Sequence, residues 1–151
     1  MQDKQIRLFS TFFYIGFFPY GPGTMASLAG AILALLLVKL PLLYIILTLV
    51  ITRLGFVVSG EMEKIMDQKD PGCVVIDEVA GILVAFFLLP MTPAVFFTAF
   101  FLFRAFDMFK IYPENVLEDK GGSTGIMMDD IMAGVYTNIT MQVAIRLAHI
   151  V

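Results

Sequence analysis

Four apolar blocks broken by prolines constrain this chain more than any other feature; they cover residues 26–52, 74–89, 94–112 and 125–151. A helix needs roughly 20 mainly apolar residues to cross a bilayer, where only helices and closed barrels satisfy their own backbone hydrogen bonds. The apolar residues run on continuously instead of alternating, which predicts helices. Proline cannot continue a helix interior, so Lys39-Leu40-Pro41 splits the first block into a hairpin whose first helix is short or re-entrant. Pro90-Met91-Thr92-Pro93 makes a second hairpin between the next two blocks. The expected fold is all-α: a single-domain, polytopic membrane bundle over residues 1–151 with about five transmembrane helices and an N-terminal interfacial segment. In that segment Ile6, Leu8, Phe9, Phe12 and Phe13 accompany Lys4 and Arg7, a pattern for a helix lying in the interface or for a first turn packed on the bundle.

Composition agrees, with 59% hydrophobic and 15% charged residues and a mean hydropathy of +0.88. The net charge of −3 leaves no basic excess for nucleic acid. A single cysteine, Cys73, excludes an intrachain disulfide and a cysteine metal cluster. The lone histidine, His149, argues against His-rich zinc sites and a Ser-His-Asp triad. Residues 1–10 are mixed polar and 12–18 run into a Pro/Gly turn, so the N-terminus is expected to be retained.

Polar stretches at 59–72 and 113–125 are the expected extramembrane loops. Alternating the helices puts the N-terminal arm and both loops on one side of the membrane. Lys4, Arg7, Lys64, Lys69 and Lys120 share that side against Lys39 and Arg146, which makes it cytoplasmic by the positive-inside rule.

The same topology brings three charge groups to that face. Asp77 and Glu78 open one helix, Arg104, Asp107 and Lys110 close another, and Asp129 and Asp130 open the last. Steps of three place Arg104, Asp107 and Lys110 on one helix face. Gly81 and Ala85 follow Asp77, and Gly134 and Asn138 follow Asp130, at four-residue steps, the small and polar residues found where membrane helices touch. Snorkelling accounts for Lys39, Arg53 and Arg146. It does not account for several carboxylates together, whose burial is costly without a compensating cation.

Oxygen-only donors favour Mg²⁺ or Mn²⁺, and carboxylates with such a cation suit a phosphate substrate. Asp77, Glu78, Asp107, Asp129 and Asp130 are the candidate metal ligands, with Asp77, Asp107 and Asp130 also the candidate catalytic acids. Arg104 and Lys110 are candidates for phosphate binding. Thr24 and Ser27, in and after the Gly21-Pro22-Gly23 turn, are further phosphate candidates, although such a turn also serves simply as a helix start capped by Thr24. Gly121-Gly122-Ser123-Thr124 invites the same two readings. There is no P-loop, no Cys-x5-Arg loop and no Asp-x-Asp pair. A small ion or proton transporter is the alternative, but it predicts charges spread through the membrane depth, whereas residues 79–103 carry none.

Four ordered motifs carry a family resemblance. They are Pro22-Gly23-Thr24-Met25-Ala26-Ser27-Leu28, Val75-Ile76-Asp77-Glu78-Val79-Ala80-Gly81, the run from Phe103-Arg104 through Asp107 and Lys110 to Pro113, and the run from Gly121 through Asp129-Asp130 to Gly134. With them the chain resembles the phosphatidylglycerophosphatase A family. The resemblance implies a Mg²⁺-dependent, multi-pass phosphatase of the bacterial inner membrane, active on the cytoplasmic side, that converts the phospholipid phosphatidylglycerophosphate to phosphatidylglycerol. One departure is Ile111, where the family commonly has proline after the lysine.

Overall fold

The computed structural model of the chain describes residues 1–109 and 122–148, and every regular element within them is helical. In order these are α1 (Asp3–Ser10), α2 (Pro22–Leu37), α3 (Pro41–Met66), α4 (Ile76–Phe86), α5 (Pro93–Phe109) and α6 (Gly122–Ala148), with a 3-10 turn at Ile15–Phe17. Pro22, Pro41 and Pro93 each begin a helix, the position where a missing N–H costs nothing. Both expected hairpins therefore form where the prolines placed them.

The short α4 is the axis of the bundle. Apart from Glu78 and Val84 all its residues are buried, chiefly by α6, α2 and α3, as expected of a helix that is apolar on every side. Close approach to α6 depends on two glycines. A Cβ on Gly81 would strike the Asp130 main chain, and one on Gly134 would strike the Gly81 carbonyl. On the α3 side of α6, Gly55 makes room for the Met127 sulfur.

An 11-residue helix is about 16 Å long, half the hydrocarbon thickness, so α4 cannot be the complete span expected of residues 74–89. It stops because Leu88 turns to a φ of 57° just before Pro90. Among the described residues α3 is the one helix long and apolar enough to cross a membrane alone, and α2 is a shorter apolar helix of 16 residues. The carbonyls at the buried end of α4 are satisfied by side chains. Asn138 Nδ2 donates to the Ala85 and Phe87 carbonyls at 3.0 and 2.7 Å, and the Tyr44 hydroxyl donates to that of Leu83 at 2.6 Å. These bonds let a helix end inside an apolar bundle without orphaned acceptors. Asn138→Ala strips two of them and is expected to cost about 1–3 kcal/mol, more than Tyr44→Phe, read as lower thermal unfolding midpoints in detergent.

Residues 59–72 are only partly a loop. α3 continues through Met66, helped by the Lys64–Glu61 ion pair at 2.7 Å, and ends with Asp67 at a φ of 49°. At the N-terminus, α1 packs against α3 through Ile6. The arm then docks on the segment leading into α4: the Ser10 carbonyl accepts from the Val75 N–H at 2.9 Å, and Gly16 lies against the Cys73 carbonyl. Phe13, Tyr14, Phe17, Phe18 and Tyr20 stay exposed, as do Leu36, Leu42, Leu49, Phe97, Phe101, Val143 and Leu147 along the bundle. So extensive an apolar exterior suits lipid contact.

Candidate active site

The end of the bundle formed by the α2, α4 and α6 N-termini and the α3 and α5 C-termini gathers the charged residues. Asp77 and Glu78 start α4, and Asp130 lies in the third turn of α6. The glycine contact one turn below holds these two helices close, so the four-residue steps from Asp77 to Gly81 and from Asp130 to Gly134 act together. One carboxylate oxygen from each of Asp77, Glu78 and Asp130 lies within 4.8 Å of the others. Asp77 and Asp130 are only 7% and 5% exposed. Asp77 Oδ1 and Glu78 Oε2 are buried without a hydrogen-bond partner among the described residues. A buried carboxylate oxygen left unpaired is costly, and three acids at this spacing repel, so the arrangement fits a divalent cation held by oxygen donors. Gly23 belongs to this construction, because a Cβ there would collide with Glu78 Oε1.

Asp107 and Asp129 join the three acids on the wall of a cavity of about 150 Å³. Glu63, Lys69 and Asp70 line it too. These three were hidden in sequence within a polar loop, and the glutamate comes from the helical extension of α3.

Arg104 does not line the cavity. Its guanidinium pairs with Asp107 and its Nη1 donates to Ser27 Oγ at 3.3 Å, while Ser27 Oγ donates to the Gly23 carbonyl at 2.8 Å. Ser27, fully buried, thus braces Arg104 and does not face the cavity. Thr24 is exposed and away from the cavity; the helix cap is Gly21, with a φ of 61°, and not Thr24. Lys110 and Ile111 lie outside the described residues, as does His149. Cys73 is half-buried beside the site, and burial pushes its thiol up from the ordinary value, which disfavours it as a nucleophile.

The fold and site define a helical-bundle protein with a buried carboxylate centre at one end. Residues 8–145 match the family described as Phosphatidylglycerophosphatase A. The Phosphatidylglycerophosphatase A of Haemophilus influenzae is 32% identical over 140 residues, covering 90% of this chain and 86% of its own. That of Escherichia coli K12 is 34% identical over 132 residues, covering 85% and 77%. A Bacteroides thetaiotaomicron protein provisionally described as a phosphatidylinositol-3-phosphatase is 34% identical over 146 residues, 91% of each chain. No solved structure matches at a significant level. The chain belongs to the phosphatidylglycerophosphatase A family and is a phosphatase, a phosphoric monoester hydrolase. Family membership gives the transporter alternative no support.

Proposed function

We propose that this protein is a Mg²⁺-dependent, multi-pass lipid phosphatase of the bacterial inner membrane that hydrolyses phosphatidylglycerophosphate to phosphatidylglycerol and phosphate at its cytoplasmic face. The observation that carries this reading is the buried Asp77, Glu78 and Asp130 cluster with its unpartnered oxygens. Those three carboxylates would hold the cation, with Asp107 and Asp129 beside them on the cavity wall. When bound, the cation supplies Lewis acidity and offsets the charge of the phosphoryl oxygens.

The remaining work falls to the chain itself. Hydrolysis breaks the bond between phosphorus and the ester oxygen; phosphate gains the oxygen of water and the alcohol gains a proton. A wall carboxylate, Asp107 or Asp129, accepts the proton that water loses. Arg104, braced by Ser27, fixes the direction of the Asp107 carboxylate. The apolar exterior keeps the acyl chains in the bilayer while the headgroup reaches the polar end of the bundle. α3 is long and apolar enough to span, and in the proposed topology the other long helices, packed around α4, would cross with it.

A substrate panel tests this reading. With Mg²⁺ in mixed micelles, the purified protein is expected to release phosphate from phosphatidylglycerophosphate at least about tenfold more efficiently than from phosphatidylinositol 3-phosphate or glycerol 3-phosphate, a preference of roughly 1.4 kcal/mol. Equal or reversed preference would overturn the assignment of the lipid.

A further inference from the structure

The acidic cavity has a single cation on its wall among the described residues, Lys69. A phosphate monoester carries between one and two negative charges at neutral pH, and the cavity that receives it is lined by carboxylates from four helices and a loop. A divalent cation held by Asp77, Glu78 and Asp130 would offset charge chiefly at that end of the cavity. Arg104 is engaged by Asp107 and Ser27 and stands off the wall. Among the described residues that line the acidic cavity, attraction of the phosphate therefore falls to Lys69.

The backbone holds this residue in place. Glu63 Oε1 accepts from the Asp70 N–H at 2.9 Å, and the Glu63 carbonyl accepts from the N–H groups of Asp67 and of Gln68, the latter at 3.2 Å. Asp67 and Asp70, with φ of 49° and 46°, bracket Lys69 in left-handed conformations that turn the loop back over the cavity. Lys69 is exposed and makes no salt bridge to a described residue. It also lines a more open hollow of about 330 Å³ beside Gly122, where α6 begins. Lys69 thus borders both the acidic cavity and the outer hollow.

We propose that Lys69 is a specificity-determining residue that binds the second, non-reacting phosphate of a bis-phosphorylated lipid headgroup at the mouth of the cavity while the scissile phosphate occupies the carboxylate end. This rests on the reading of the protein as a phosphatase of phosphatidylglycerophosphate, whose headgroup carries a phosphodiester next to its phosphomonoester. Lys69 places a charge-assisted contact on the diester and leaves the inner site unchanged.

The test compares wild type, Lys69→Ala and Lys69→Arg on phosphatidylglycerophosphate in mixed micelles, with inorganic phosphate as a competitive inhibitor reporting the inner site alone. Lys69→Ala is expected to raise KM about tenfold with kcat within about threefold, to leave the inhibition constant for phosphate within about twofold, and to weaken the rise of KM with ionic strength. Lys69→Arg is expected to recover most of the wild-type KM. An unchanged KM in Lys69→Ala, a parallel loss of phosphate inhibition, or no recovery with arginine would overturn the proposal. A wild-type protein that does not cleave this lipid would instead overturn the reading on which it rests.

Discussion

Asp130→Asn is expected to lower kcat/KM for phosphatidylglycerophosphate by on the order of 10³-fold, the scale seen when a group that organises charge at a reacting centre is removed. Asparagine keeps the size and one oxygen of the side chain, so the fold should survive; what is lost is a negative charge facing Asp77 and Glu78. Stability provides a second readout. Without divalent cation the buried acids repel and leave oxygens unpartnered, so the variant should unfold at a higher temperature than wild type in EDTA. In excess Mg²⁺ the order should reverse, because a ligand that binds the folded wild type more tightly stabilises it more. An activity loss without that reversal would mean that Asp130 serves the reaction through something other than a cation.

The second large effect concerns the contact beneath the site. Gly81→Ala is expected to lower activity by about 10²-fold, and Gly81→Leu or Gly134→Leu to abolish it with a fall in stability of about 3 kcal/mol or more. The cause is the Cβ itself, which meets the Asp130 main chain from Gly81 and the Gly81 carbonyl from Gly134. Separating α4 from α6 by even an ångström spreads oxygens that now lie within 4.8 Å. Activity assays paired with thermal unfolding in detergent measure both effects. Wild-type activity in Gly81→Leu would show that the crossing does not set the carboxylate spacing.

These glycines mark how far the chain could be read before its structure was described. The helix starts at Pro41 and Pro93 were legible because proline acts locally, through its missing N–H. The start at Pro22, capped by Gly21, reads in sequence as a turn with Thr24 as the cap. Convergence of Asp77, Glu78, Asp107, Asp129 and Asp130 was legible as well, since alternating helices must return their charged ends to one face. The early stop of α4 was not. Asn138 was legible as a helix-contact residue by its four-residue step, but not that it and Tyr44 would take up the carbonyls at the end of α4. Ser27 is comparable: its bond to Arg104 crosses 77 positions, so its bracing role was invisible beside the simpler expectation of a phosphate contact. Glu63 and Lys69 were lost in a stretch that looked like solvated loop: α3 runs on through Glu63 to Met66, and the turn that carries Lys69 uses left-handed aspartates, where glycine would have been the signal.

Phosphate release from phosphatidylglycerophosphate by the purified protein, measured after stripping with EDTA and again after adding back Mg²⁺, tests the central claim most directly. A carboxylate centre that works through a divalent cation predicts no turnover above background after stripping and full recovery on addition, with no recovery in Asp130→Asn. Turnover that persists through chelation, or Mg²⁺ rescue that is equal in Asp130→Asn, would contradict it.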